Sequence, residues 1–375
     1  MRFWSRPCRL SRVPPRSERV RITIVISSLG GGGAERAAVN VANYWAAAGR
    51  EVTIATFYQG GAPPAYLLDA RVSQVDAGFR DRGRRSEAAL LADIRQLVVG
   101  TRPDVVLSLI DQTNIRVANA LRGSGIPVFV WEQIDAGPIA PAEWEEARRE
   151  TYANAAAGVI ALTGEDARYF GPGTHVVFNP VAPRRVERKT GPPLIVGAGR
   201  LDEQKGFDIL IAAFARVAGA HPDWNLVILG EGHEREALTR RAREVGIADR
   251  VALPGFTREP ERVYARASIF GMPSRREGFP NALLEAMASG VAPVVSDCAP
   301  CMREIVRDGV DGLVVTPWRV GPFAEGLDRL MSNDDERQRF AERAREVVTR
   351  FSIEEAIARL DRIFDSQPAA VARLH

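Results

Sequence analysis

Residues Ser274 to Gly290 read S-R-R-E-G-F-P-N-A-L-L-E-A-M-A-S-G, and their order decides what lies on either side. Ahead of them Ser268 to Met272 is a short apolar run of strand character, and behind them Val291 to Ser296 is another. Between the two, Pro280 suits a first helical position, where its fixed φ and missing N–H cost nothing. The run Asn281-Ala-Leu-Leu-Glu-Ala-Met287 then continues as a helix that Gly290 can end. Strand, loop, helix, strand is one unit of a parallel α/β sheet. It places Glu277 in the loop just before the helix and Glu285 about one turn inside it.

The backbone at Gly278, Phe279, Pro280 and Asn281 would stand at the positive end of the helix dipole, a setting for hydroxyl or phosphate oxygens. Two carboxylates beside such donors add acceptors, a combination that fits a sugar attached to a nucleotide. An arbitrary Glu pair is more often two solvated helix-end charges; the flanking strands and the Pro-Asn start argue against that here.

The same grammar runs through the chain. Residues 21–28 are β-branched and apolar, followed by L-G-G-G-G-A-E-R and an amphipathic helix. Gly31, Gly32 and Gly33 can bring backbone N–H groups close to phosphate, or form a plain turn. They are not a dinucleotide fingerprint: Gly30, Gly32 and Glu35 break G-x-G-x-x-G, and the second strand ends in Thr56-Phe57-Tyr58 without a ribose-binding acid. Helices at Glu87 to Val99, Thr113 to Arg122 and 141–156 alternate with strands up to Gly158-Val-Ile-Ala-Leu162. Phe178-Asn-Pro-Val181 closes this half, and a polar, Pro-containing linker follows. The second half restarts with Leu194-Ile-Val-Gly-Ala-Gly-Arg200-Leu and Lys205-Gly206. By spacing alone Arg200 and Lys205 would be surface charges. Val251-Ala-Leu-Pro-Gly255-Phe256 is a short strand and turn, Tyr264 reads as core, and Phe323 to Met331, Asp334 to Thr349 and Ile353 to Phe364 read as helices.

E-G-F-P-N-A-L-L-E-A-M-A resembles the E-x7-E motif of the large retaining glycosyltransferase family 4, to which many bacterial cell-surface polysaccharide enzymes belong. G-R-L-x-x-x-K-G of that family is matched by Gly199, Arg200, Leu201, Lys205 and Gly206, and S-L-G-G-G-G-A-E-R is similar to its start. The resemblance covers about residues 20 to 365. It implies an α/β, GT-B fold: two Rossmann-like domains facing a central cleft. A basic, disordered extension (1–20) would precede an acceptor-side domain (21–182), a linker (183–192), a nucleotide-sugar domain (193–352) and a terminal helix crossing back (353–375).

By the same resemblance Glu277 contacts the donor sugar, Glu285 the ribose, and Arg200 and Lys205 the diphosphate, where fixed cations meet the charge of the leaving nucleotide. Gly31, Gly32, Gly33, Phe256, Gly278, Phe279, Pro280 and Asn281 would line the donor site. The implied reaction moves a hexose or N-acetylhexosamine, with retention, from a UDP-sugar to a glycan or a polyprenyl-diphosphate-linked acceptor, without a cofactor. Gln133 stands where many relatives have His and is the acceptor-side candidate there; no general-base role is carried over from that His. A phosphorylase or epimerase of the same fold, or a non-catalytic sugar-nucleotide binding protein, are the alternatives.

The net charge of +3 hides an asymmetry: residues 1–20 carry +5, which leaves the rest at −2, so nothing marks a nucleic-acid binder. Arg80, Arg82, Arg84 and Arg85 form a basic cluster suited to an acceptor diphosphate or an anionic membrane surface. No apolar run of spanning length occurs and the N-terminus lacks a signal-peptide core, so a cytoplasmic protein, peripheral at the inner face of the plasma membrane, is expected. Cys8, Cys298 and Cys301 are too few for a disulfide framework. Cys298-Ala-Pro-Cys301 has half-zinc spacing without a second Cys/His pair, and Asp-x-Asp is absent, so no metal site is expected.

Overall fold

The computed structural model describes residues 20–79, 86–133, 141–182 and 191–366. The first half is built from β1 (Arg21–Ile26), α1 (Gly33–Ala47), β2 (Glu51–Thr56), β3 (Ser73–Asp76), α2 (Glu87–Gly100), β4 (Val105–Leu109), α3 (Asp111–Leu121), β5 (Val128–Trp131), α4 (Ala142–Ala155), β6 (Gly158–Ala161), α5 (Gly164–Phe170) and β7 (His175–Val176). Its seven strands form one parallel sheet in the order β3-β2-β1-β4-β5-β6-β7. β1 and β4 are apolar along nearly their whole length because helices cover both faces. β3 and β7 are short edge strands, too weakly patterned to stand out in the sequence.

The second half contributes β8 (Leu194–Ala198), α6 (Phe207–Val217), β9 (Asn225–Leu229), α7 (Arg235–Glu244), β10 (Val251–Gly255), α8 (Pro260–Tyr264), β11 (Ile269–Met272), α9 (Asn281–Ala288), β12 (Ala292–Ser296), α10 (Pro300–Ile305), β13 (Leu313–Val315) and α11 (Val320–Ser332). Its parallel sheet runs β10-β9-β8-β11-β12-β13. Strand order reverses between β1 and β4 in the first sheet and between β8 and β11 in the second. At such switch points the loops leaving the carboxyl ends of two strands diverge and open a crevice for ligands.

The expected single helix over Asp334 to Thr349 is two, α12 (Asp334–Ala344) and α13 (Val347–Arg350). Bonds from Arg345 N–H to the Glu342 carbonyl and from Glu346 N–H to the Arg343 carbonyl tighten the turn between them. That turn delivers the fully buried Val347 to the core beside α9. α14 (Ile353–Asp365) then leaves the second domain. The Val181 N–H donates to the Phe351 carbonyl (2.9 Å), and Asp361 receives both Arg50 nitrogens (2.6 and 2.5 Å) and the Trp45 indole N–H (3.3 Å). Phe364 packs on Phe129 and Trp45, with ring centroids at 4.9 and 5.8 Å. One apolar cluster therefore runs from the α1 face of the first sheet through Phe178 and Phe351 to Phe279 and Leu283.

Candidate active site

The second sheet's switch point brings two distant loops together. After β8 the chain passes Gly199-Arg200-Leu201 and a tight turn, where Asp202 caps the backbone N–H of Lys205 (3.2 Å). Gly206 follows with φ +65°, and α6 begins. A Cβ at Gly206 would lie 2.4 Å from the Pro273 carbonyl oxygen, so only glycine lets this turn approach the end of β11. The loop after β11 is tied to the same turn: the Arg275 N–H donates to the Gln204 carbonyl (2.7 Å), and the Arg275 guanidinium forks onto Asp208 (2.9 and 2.7 Å).

Those ties set Lys205 against Glu277. Lys205 Nζ donates to both carboxylate oxygens (2.7 and 2.9 Å), and Ser274 Oγ adds a third bond to Oε1 (2.6 Å). Glu277 is 4% exposed, so its charge is held by a fixed cation and a fixed hydroxyl rather than by water. Arg200 behaves differently: its side chain is exposed and pairs with Asp202 at 3.2 Å. Gly278, Phe279 and Pro280 lead into α9, whose N-cap residue, Pro280, offers no capping side chain. Cys298 and Cys301 lie near Glu277, with Cys301 Sγ donating weakly to the Glu277 carbonyl at 4.0 Å. Burial pushes the Cys298 thiol up to about 12, with the Glu277 charge adding to it, so it stays a thiol at neutral pH. Among the described residues no group of three or more His, Cys, Asp or Glu is placed to hold a metal.

The glycine loop of the first domain meets this surface. Asn281 Nδ2 donates to the Gly33 carbonyl (2.8 Å), and a Cβ on Gly31 would strike the Phe256 ring at 2.6 Å. Glu285 is paired across the domains with Arg36 Nε (2.6 Å). Glu35 folds back over Gly32; burial raises its carboxyl above the ordinary range, and Arg200, across the gap, lowers it in part. Gly31, Gly32, Gly33, Phe256, Asn281, Glu285 and Arg200 thus share one interdomain surface. Ser274, Glu35 and Arg36 were missed as site residues, although G-G-A-E-R was singled out as a string.

Gln133 lies at the end of β5, where its Oε1 accepts from Asn179 Nδ2 (2.9 Å). Beside it Glu132 is fully buried. It accepts from the Tyr152 hydroxyl and from Asn114 Nδ2 (3.4 Å), with Arg148 at 3.5 Å. Burial lifts the Glu132 carboxyl to about 7 in spite of Arg148. Arg80, Arg82, Arg84 and Arg85 lie outside the described residues, as do residues 1–19 and 183–190. Among the described residues no helix is long and apolar enough to cross a membrane.

Residues 32–182 match the model of the glycosyl transferase 4-like domain and residues 180–347 that of glycosyl transferases group 1. An uncharacterized glycosyltransferase of Haemophilus influenzae is 25% identical over 352 residues, covering 90% of this chain and 98% of that protein. A Campylobacter jejuni protein is 24% identical over 347 residues, covering 89% of this chain and 95% of its own. It is named as an alpha-1,4-N-acetyl-D-galactosaminyltransferase for a GalNAc- and diNAcBac-containing PP-undecaprenol. Anabaena HepE, solved in complex with UDP, superposes with a TM-score of 0.76 at 18% identity, over 92% of this chain and all of that one. Two abutting family models, whole-length relatives and two facing parallel sheets place the chain in the GT-B, family 4-like glycosyltransferases.

Proposed function

We propose that the protein transfers a sugar, with retention at the anomeric carbon, from a UDP-sugar to a hydroxyl of a glycan carried on a polyprenyl diphosphate. The observation that carries the reading is the buried Lys205–Glu277–Ser274 cluster at the second sheet's switch point, with Glu285 one turn inside the helix that follows. Such a crevice offers a nucleotide diphosphate sugar cations for its phosphates and carboxylates for its hydroxyls. Arg200 and Lys205 meet the diphosphate, Glu277 orients the sugar and Glu285 holds the ribose. Lys205, shared between Glu277 and the diphosphate, ties sugar position to leaving-group charge. The C1–O bond to the diphosphate breaks as the acceptor oxygen bonds to C1 on the same face, and the acceptor proton passes to the departing phosphate oxygen. The protein's contribution is positioning and fixed charge.

HepE in complex with UDP supports the choice of base, and the undecaprenol-linked substrate in the Campylobacter enzyme's name supports the acceptor class. Gln133 and Asn179 supply polar groups on the acceptor side, and Arg80, Arg82, Arg84 and Arg85 would meet an acceptor diphosphate or an anionic inner-membrane surface. The test is a panel of nucleotide sugars read by thermal shift and by UDP release, with and without a polyprenyl-diphosphate glycan. Stabilisation by UDP-sugars and acceptor-dependent UDP release are expected. A requirement for inorganic phosphate, or an altered free sugar without acceptor, would point instead to a phosphorylase or an epimerase.

A further inference from the structure

Arg36 is not among the donor contacts proposed for Glu277, Glu285, Arg200 and Lys205, yet its surroundings are those of a binding residue. It projects from the first turn of α1 in the first domain and reaches Glu285 of α9 in the second, Nε to Oε1 at 2.6 Å, with both side chains 11% exposed. The Tyr66 ring lies under its guanidinium, 4.1 Å from centroid to Cζ, and the Tyr66 hydroxyl donates to the Gly32 carbonyl (3.1 Å). The side chain is thus held from below by a stacked ring and in front by a carboxylate. Its Nη2 is buried and has no hydrogen-bond acceptor among the described residues. A guanidinium N–H shut away from water without an acceptor is destabilising, because its lost hydration is not replaced. A site that keeps such a donor beside a carboxylate is suited to a group that can donate and accept at once.

A hydroxyl is that group: it carries one O–H donor and two acceptor lone pairs. We propose that Arg36 is a second binding residue of the nucleotide pocket, supplied by the opposite domain, and that a ribose hydroxyl is held between Glu285 and Arg36. The hydroxyl donates to the Glu285 carboxylate and accepts from Arg36 Nη2. The inference rests on the reading of Glu285 as the ribose contact and extends it. Arg36 also keeps the buried Glu285 charge compensated while the neutral hydroxyl binds. Because the two residues belong to different domains, the nucleotide is bound only where α1 and α9 are held together by Asn281 and Gly33.

Titration calorimetry with UDP, 2′-deoxy-UDP and 3′-deoxy-UDP tests this on wild type, Arg36→Ala, Arg36→Lys and Tyr66→Ala. Wild type should prefer UDP over at least one deoxy analogue by roughly tenfold or more. In Arg36→Ala, UDP affinity should fall about tenfold and the preference should shrink severalfold. Arg36→Lys keeps the charge but not the planar fork; it should recover part of the affinity while leaving the preference reduced. This variant serves if removal of the charge impairs folding. Tyr66→Ala should move both quantities in the Arg36→Ala direction. An unchanged preference in Arg36→Ala and Arg36→Lys, with UDP still bound, overturns the proposal alone. Failure of wild type to bind UDP overturns the donor reading beneath it.

Discussion

Lys205 and Glu277 are 72 positions apart and make the shortest route from this sequence to its chemistry, a buried carboxylate with two bonds from one ammonium. Replacing Glu277 by Gln removes the charge but keeps the shape. Losing a charged hydrogen bond costs roughly 1.5 to 3 kcal/mol, so kcat should drop about ten- to a hundredfold while UDP binding changes little. Steady-state kinetics with UDP calorimetry check this, and unchanged kcat contradicts it. Glu132 gives a second residue-scale expectation. Its folded value of about 7 lies above its ordinary 4.5, so the folded chain keeps this proton longer than the unfolded chain does. Stability from this group therefore falls as pH rises through about 4.5 to 7, by on the order of 3 kcal/mol, and the loss is complete above that. The Tm of Glu132→Gln minus that of wild type should accordingly grow across this window, and a flat difference contradicts the assignment. The Glu277 and Glu285 placements were legible because loop and helix are local. Arg36, Ser274 and Glu132 were not, since their roles come from partners and burial that only tertiary packing creates.

At the scale of elements, the site depends on two loops leaving adjacent strands, and Gly206 sets their spacing. Gly206→Ala imposes an αL conformation that costs about 1 to 2 kcal/mol and drives a methyl into the Pro273 carbonyl. A loss of at least about 2 kcal/mol in denaturant stability is expected, with donor KM raised because Lys205 shifts. Wild-type stability and KM in this variant would show that the turn is not constrained as described. The strand–loop–helix periodicity made β8, β11 and α9 readable to within a residue or two. It failed at β3 and β7, which carry too few apolar residues to register. It failed also at the α12–α13 break, where the demand to bury Val347 overrides a helical pattern that continues in the sequence.

Across the whole molecule, α14 is the strap: a helix of the chain's end whose Asp361 and Phe364 are bound by Arg50, Trp45 and Phe129 of the first domain. Phe364→Ala should cost about 3 kcal/mol or more and lower Tm, as truncation of a buried aromatic does. An unchanged Tm would mean the strap is not part of the folded core. Charge acts at this scale too. Binding to anionic vesicles that weakens with salt, and weakens when Arg80, Arg82, Arg84 and Arg85 become Ala, is expected if these residues face the membrane. Each basic residue near such a surface contributes about 1 kcal/mol. The two-domain plan was legible because its repeating unit recurs in both halves; the cleft contacts between the halves were not, because Asn281–Gly33 and Arg36–Glu285 join segments from opposite ends of the chain.

The central claim is that Glu277, with Arg200 and Lys205, does the work of a metal-independent nucleotide-sugar transferase. The most direct test is the initial rate of UDP release from a UDP-sugar in excess EDTA, with a polyprenyl-diphosphate glycan as acceptor, for wild type, Lys205→Ala and Glu277→Gln. We predict full wild-type activity in EDTA and rates about tenfold or more lower in each variant. Activity abolished by EDTA and restored by a divalent cation, or a Glu277→Gln rate equal to wild type, would contradict it.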